Sequence, residues 1–345
     1  MSKSHGRSLA SSLASGLVKK CLGALLFQER RLWKHLPVSL RYLPPARAYG
    51  RHLHHLVCLQ ADRKQYFGTF FLRNRAELEL IRRLIDKKPR GSRLDMSVLA
   101  CSKGAEVYSM AWAIRSTRPD LELNIHAIDI SQEIVEFAAK GIYSLETSDA
   151  VASLDEEAVK SRGEVSWNTS RDQNAWILER MTKEEIGAMF EVRGNQAHVR
   201  PWLKQGITWL CADAGDPKLP SAIGQQEIVI ANRFLCHMRP PQAESCLDQI
   251  GRLVKPGGYL FVSGIDLDVR TNVALRMEWK PVNDLIREIH DSDTSIRRGW
   301  PMEYWGLEPF NNRRRDWQVR YASVFQIGDT PRPLAQLPLS QNSAR

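Results

Sequence analysis

From about residue 75 the apolar positions follow two alternating rhythms. In "ELELIRRLIDKK" (77–88) they recur three and four apart, which predicts an amphipathic helix. "LDMSVLA" (94–100) is a short apolar run and predicts a buried strand, and residues 105–118 return to helical spacing. The alternation continues with a strand at "LNIHAID" (123–129), a helix at "SQEIVEFAAKG" (131–141), and strands at "GITWLCA" (206–212) and "EIVIAN" (227–232). A helix at "PQAESCLDQIGRLV" (241–254) and a strand at "GYLFVSG" (258–264) follow. Strands separated by helices imply an α/β domain with a parallel sheet covered on both faces.

Three stretches break the rhythm. Residues from about 143 to 205 are polar, carry Trp167, Trp176 and Trp202, and are too long for a plain loop, so they predict an inserted subdomain. "WQVRYASVFQI" (317–327) alternates in the manner of a late strand or hairpin, and "PRPLAQLPLSQNSAR" (331–345) reads as a disordered tail. "SLASSLASGLVKKCLGALLF" (8–27) places its leucines near one helical stripe, interrupted by Lys19 and Lys20, and "LPVSLRYLPP" (36–45) predicts a proline-punctuated linker. The boundaries that result are a basic N-terminal helical arm and linker over 1–64, a main domain over 65–330 and the tail over 331–345.

Charge sharpens the picture of the arm. Residues 1–60 hold ten Lys/Arg and one acid, Glu29, and so carry nine of the chain's ten net positive charges. A basic face on the folded body, as nucleic-acid enzymes carry, is therefore not expected. The arm suits an anionic membrane surface or an acidic partner, or packing on its own domain, and its serine-rich, nearly acid-free composition also fits a transit peptide. No stretch approaches the ~20 apolar residues that span a bilayer. The six cysteines are scattered, with no C-x-x-C pair, as in a reducing, cytoplasmic compartment. His52, His54 and His55 have no acid or cysteine at ligand spacing, and no metal is expected.

The candidate chemistry lies at the first strand's end. "ACSKGAEVYSMA" (100–111) is a small-residue turn opening a helix, with one glycine, Gly104. It lacks both G-x-x-x-x-G-K-[ST] and G-x-G-x-x-G, which weakens a nucleotide triphosphate, NAD or FAD. An acid, Asp129, closes the second strand. Its carboxylate suits the two hydroxyls of a ribose that has no phosphate to cradle, as in S-adenosyl-L-methionine; an acid there also serves as a helix cap. "LVKPGGYLFVSG" (253–264) adds a helix–turn–strand of the kind found late in class I methyltransferases.

Over about residues 65–265 the chain resembles the CheR family, the chemotaxis-receptor glutamate methyltransferases. "TFFLR" (69–73) is similar to the family's T-x-F-F-R, and "ACSKGAEVYSMA" to its turn and helix. "AIDISQEIVEFAAKGIYS" (127–144) is similar to A-x-D-I-(polar)-x-x-(aliphatic)-x-x-A-x-x-G-x-Y; "ITWLCADA" (207–214) and "IVIANRFLCHM" (228–238) fill two later motif slots. The resemblance implies a Rossmann-like class I methyltransferase sheet with helices on both faces, the small insert, and S-adenosyl-L-methionine as cofactor. It implies that Thr69 and Arg73 lie by the sulfonium and acceptor, that Ala100, Ser102 and Gly104 form the cofactor turn, that Glu106 holds the methionine ammonium, and that Asp129 binds the ribose. Asp213 stands where the family has Asn near the adenine, and Asn232 and Arg233 where it has Arg then Asn. His237 replaces a Tyr beside the transferred methyl. Lys103 and Ala105 replace a Thr-like residue and a Glu, and "GWPMEYWGLEPFNNRRRDW" (299–317) has no counterpart in the chemotaxis enzymes.

Methyl transfer from a sulfonium needs alignment above all. A carboxylate acceptor needs a cation to hold it, for which Arg73 is the candidate. A hydroxyl or amine acceptor needs a base, for which His237 is the candidate. The expected activity is transfer to a carboxylate, of a protein or a small molecule, or to another oxygen nucleophile. The eroded "ANRFLCHM" (231–238) keeps open a catalytically impaired, cofactor-binding regulatory module. The expected place is the cytoplasm, with peripheral membrane attachment through the arm left open beside packing on its own domain.

Overall fold

A computed structural model describes residues 26–41, 43–145, 177–292 and 294–328. Most of the apolar stripe over 8–27, Trp167, Trp176 and the tail lie outside the described residues.

A seven-stranded sheet has the order β6-β2-β1-β7-β8-β10-β9. Its strands are β1 (Arg93–Leu99), β2 (Glu122–Asp129), β6 (Ile207–Cys211), β7 (Gln226–Asn232), β8 (Val254–Ser263), β9 (Lys280–Pro281) and β10 (Val324–Gln326). The five strands from β6 to β8 are parallel, and β10 runs antiparallel to β8 and β9. The chain builds outward from β1 through β2 to β6, then returns to β7 on β1's other side. That reversal leaves a crevice at the C-terminal ends of β1, β2 and β7, where open α/β sheets bind ligands.

Residue alternation explains why both faces are covered. Met96, Val98, Ile228 and Ile230 enter one buried cluster with helices α2 (Arg75–Asp86) and α3 (Ala105–Thr117). Leu99, Val229, Ala231, Leu260 and Val262 enter the other, with α6 (Pro240–Leu253) and α7 (Leu267–Arg276). A period of two on a strand sends neighbours to opposite faces, so a strand apolar at every position must be sandwiched. Helix α4 (Gln132–Lys140) follows β2, is capped by Ser131 and ends at Gly141 with φ 60°.

Part of the insert forms a second, smaller sheet whose buried side chains join the main core. β3 (Ile142–Ser144), β4 (Phe190–Arg193) and β5 (Gln196–Val199) form an antiparallel sheet in the order β3-β5-β4. Helix α5 (Lys183–Met189) starts with a capping box between Thr182 and Glu185. This small sheet packs on the segment before α2: Phe71 meets Tyr143 at 5.1 Å and Phe190 at 5.0 Å between ring centroids, both edge to face.

Two local expectations are corrected. Where a linker was expected, Val38–Arg41 forms a helical turn and Pro44–Gln60 a helix, α1. Its prolines sit in the first turn, where a missing N–H costs nothing, so they start the helix instead of breaking it. Its inner face (Gly50, Leu53, Val57) packs with Leu26, Trp33 and Trp300, and a Cβ on Gly50 would come within 2.3 Å of the Trp300 ring. Arg30, Arg41 and Arg47 donate to backbone carbonyls of Met302, Leu36 and Phe310, so part of the arm's charge is spent inside the molecule. The second correction concerns 317–327, which divides into a helical turn, α9 (Trp317–Tyr321), and strand β10. Arg320 and Tyr321 both bond to buried Glu308, at 2.9 and 2.6 Å, and this tertiary anchoring overrides the local alternation. Helix α8 (Ile286–Asp291) lies against α9.

Candidate functional site

The crevice at the sheet's C-terminal edge holds a cavity of about 270 Å³. Thr69, Arg73, Ala100, Ser102, Glu106, Asp129, Asp213, Asn232, Arg233 and His237 all line it; Gly104 does not. The segment Gln65–Gly68, to which the sequence assigned no role, supplies part of the wall.

The turn after β1 explains how one glycine suffices. Ala100 and Ser102 adopt φ of 49° and 50°, left-handed values that cost side-chain-bearing residues energy and persist when the surroundings hold them. Ser102 is held at both ends: its N–H donates to Asp129 Oδ2 at 2.8 Å and its hydroxyl to the Phe67 carbonyl at 2.8 Å. Gly104, at φ 82°, lies behind the cavity, and a Cβ there would come within 3.0 Å of Trp209 and 3.1 Å of Ala138. Expected in the cofactor turn, it stands outside the cavity lining, and its missing side chain lets α3 pack against its neighbours. Leu72 and Arg233 are also left-handed, with φ of 52° and 63°. Arg233 is pressed against Gly264, whose added Cβ would fall 2.6 Å from its Cα.

Asp129 is nearly buried, 4% exposed, at the end of β2. Its Oδ1 accepts from Ser131 N–H at 3.2 Å. The cap of α4 is Ser131, whose hydroxyl accepts from Ile134 N–H, so Asp129 is not the helix cap. Each carboxylate oxygen has a second lone pair beyond the one its backbone donor takes. Asp213, more exposed on its loop, accepts from Gly215 N–H through Oδ1 at 2.8 Å.

Glu106 belongs to a buried network that includes a residue missed in the sequence. The Asn232 side-chain nitrogen donates to Glu77 Oε1 at 2.7 Å and to Glu106 Oε1 at 2.8 Å. Its carbonyl oxygen accepts from the Ser263 hydroxyl at 2.7 Å. An amide nitrogen has two hydrogens, and here each serves one carboxylate, which fixes the orientation of the amide. Burial, then repulsion by Glu106, pushes the Glu77 carboxyl up to about 7, while Asn232, Arg233 and Arg73 oppose the shift. A signal was present in the sequence: Glu77 shares the apolar stripe of α2 with Ile81 and Ile85.

Arg73 follows the Phe70–Leu72 bend, donates to the Gly68 carbonyl at 3.0 Å and lies 5.8 Å from the Phe70 ring centroid. His237 ends a short 3₁₀ turn, Leu235–His237. Burial, and then the Arg63 guanidinium, hold its pKa below the ordinary imidazole value. Its Nδ1 is 2.8 Å from the Tyr304 hydroxyl. Neither Arg63 nor Tyr304 carried a recognisable signal, since their meeting is set by tertiary contacts. The cavity thus combines acids at one set of strand ends with two guanidiniums and a weakly basic imidazole. Among the described residues no group of His, Cys, Asp and Glu is arranged to hold a metal.

Residues 68–164 match the family model described as CheR methyltransferase, SAM binding domain. Residues 184–262 match the model of a methyltransferase domain. A Rhodobacter capsulatus protein described as an uncharacterized 104.1 kDa protein in the hypE 3′ region is 24% identical over 249 residues, covering 68% of this chain. The chain spans about a fifth of that relative's length, 22%. Magnesium protoporphyrin IX methyltransferase from Synechocystis PCC 6803 with bound SAM is 13% identical over 60% of this chain and 69% of its own, with a TM-score of 0.32. The citrinin polyketide synthase CMeT domain is 11% identical over 74% of this chain and 52% of its own, with a TM-score of 0.34. Overlaps this loose carry no residue role or acceptor across to this chain.

Proposed function

We propose, from the premise that the chain is an S-adenosylmethionine-dependent methyltransferase with a cofactor-binding domain of the CheR family, that its acceptor oxygen is a carboxylate. Ala100–Ser102 and Asp129 would take the adenosyl ribose, Asp213 would face the adenine, and Glu106 would take the methionine ammonium. When bound, the cofactor supplies an electrophilic methyl on a sulfonium. The acceptor carboxylate, held by Arg73 and Arg233, would give a lone pair to the new O–C bond, and the bonding pair of the broken C–S bond would remain with the sulfur as a neutral thioether. No proton leaves the acceptor, so no base is required.

The observation that carries the carboxylate reading is that Arg73 and Arg233 line the same cavity as Asp129 and Glu106. A guanidinium grips a carboxylate through two parallel bonds and pre-orients it for in-line attack. His237, with its pKa lowered, is a weaker base than free imidazole and suits a hydroxyl acceptor poorly. The acceptor is a protein side chain or a small acid. The basic arm enters as packing for the domain, with its remaining exposed charge available to an anionic surface. No helix among the described residues is long and apolar enough to cross a membrane.

The test is transfer of a tritiated methyl from S-adenosylmethionine into cell extract, followed by mild alkali. A carboxyl methyl ester releases its label as volatile methanol. Alkali-stable label, or no incorporation, contradicts the proposal.

A further inference from the structure

We propose that Tyr304 is a positioning residue for methyl transfer: its hydroxyl donates to Nδ1 of His237 and holds the imidazole in the tautomer that carries hydrogen on Nε2. His237 then meets the acceptor as a hydrogen-bond donor and not as a base. This rests on reading the cavity as a methyl-transfer site.

Hydrogen bookkeeping assigns the direction. Nδ1 and the phenol oxygen are 2.8 Å apart, so one of them donates. A phenol hydroxyl is the stronger donor of the two and a neutral imidazole nitrogen the stronger acceptor, so the phenol hydrogen lies between them. Donation to Nδ1 satisfies both groups. A neutral imidazole has one donor and one acceptor nitrogen, so occupying Nδ1 as acceptor leaves the hydrogen on Nε2. Burial and the nearby Arg63 keep the ring neutral, which the one-hydrogen argument requires.

The surroundings hold this pair in place. Arg63 Nη1 donates to the carbonyls of Cys236 at 2.8 Å and Met238 at 2.6 Å, the residues on either side of His237. Its Nη2 is paired with Asp266 at 3.1 Å, and the guanidinium lies 5.6 Å from the Tyr304 ring centroid. The His237 and Tyr304 rings meet edge to face, 5.7 Å apart at 78°. One arginine from the segment after α1 therefore clamps the backbone around His237, while a tyrosine from the stretch 299–317 sets its hydrogen. A donor at this point complements an acceptor that arrives as an oxygen anion and would oppose one that must lose a proton.

The test uses the full-length chain with ¹⁵N-labelled histidine, with the His237 resonances assigned by difference from His237→Gln. In the wild type, Nδ1 is expected to resonate as the unprotonated, pyridine-type nitrogen and Nε2 as the protonated, pyrrole-type one. In Tyr304→Phe both should move toward the tautomer average. Calorimetric affinity for S-adenosylhomocysteine should stay unchanged, and label transfer into extract should fall roughly two- to tenfold, the worth of one neutral hydrogen bond. A protonated Nδ1 in the wild type, or nitrogen shifts that Tyr304→Phe leaves unmoved, overturns the proposal while the methyltransferase reading stands. A wild type that does not bind S-adenosylhomocysteine overturns that reading, and the role of Tyr304 with it.

Discussion

Binding of S-adenosylmethionine near neutral pH is expected to release protons from the Glu77–Glu106 pair. Glu77 is 2% exposed and shares the Asn232 amide with Glu106. Burial and the Glu106 charge raise its carboxyl from 4.5 to about 7. A group with that pKa is about half protonated at pH 7. The cofactor's ammonium arriving at Glu106 favours the ionised pair, so protons should leave Glu77 on binding near pH 7, and this release should fall as pH rises. Calorimetry in phosphate and in Tris reads this directly, because the buffer takes up the released proton with its own heat of protonation. Glu77→Gln keeps an acceptor for Asn232 and removes that titration, so the proton release should disappear and only the uptake by the cofactor's own amino group should remain. The same shift has a stability consequence with a definite sign. The folded pKa lies above the unfolded one, so native stability is fully present below about pH 4.5 and is lost as pH rises through about 7. A shift of that size, at 1.36 kcal/mol per unit, is about 3 kcal/mol. The cofactor-free Glu77→Gln protein should therefore be more stable than wild type by up to about 3 kcal/mol at pH 8 and no different below pH 4.5. A buffer dependence of the binding heat at pH 7 that Glu77→Gln leaves unchanged, or parallel pH–stability curves for wild type and variant, would refute the reasoning.

Asp129→Ala should weaken calorimetric cofactor affinity by about 1–3 kcal/mol. It should also lower thermal stability, because the Ser102 and Ser131 N–H groups lose their acceptor. Arg73→Ala should abolish label transfer while leaving cofactor affinity nearly unchanged. His237→Phe should cost about tenfold or less, and the rate should not track a group titrating near or below pH 6.5. A loss of about 100-fold, together with disappearance of such a limb, would make His237 a base and the acceptor a hydroxyl or amine. Trp300→Ala should cost about 3–5 kcal/mol of unfolding free energy by denaturant titration, since Trp300 is 7% exposed among Trp33, Leu53 and Val57. A chain beginning at Gln65 should be destabilised similarly, and an unchanged denaturation midpoint would show that the arm's packing contributes little.

The parallel strands were legible because burial on both faces demands apolar runs, and "LDMSVLA" and "EIVIAN" have few polar positions to misplace. The crevice was legible for a related reason: small residues after β1 and an acid closing β2 mark strand ends, and strand ends converge at the switch point. What escaped the sequence depends on contacts between distant segments. Glu77 shows locally only as an acid on the apolar stripe of α2; what joins it to Glu106 is the Asn232 amide, 155 positions away, which no local pattern encodes. Tyr304 and Arg63 close on His237 from opposite ends of the chain, and α9 departs from its strand-like alternation because Glu308 binds both Arg320 and Tyr321. Gly104 is less legible, because glycine at a turn serves either a ligand's approach or helix packing, and the spacing of residues does not separate the two.

The most direct test of the cofactor site is a crystal structure of the full chain with S-adenosylhomocysteine. The ribose hydroxyls are expected within hydrogen-bond distance of Asp129, and the ammonium against Glu106, in the cavity beside Arg73. A ligand bound elsewhere, or one in this cavity whose ribose is turned away from Asp129, would contradict the assignment.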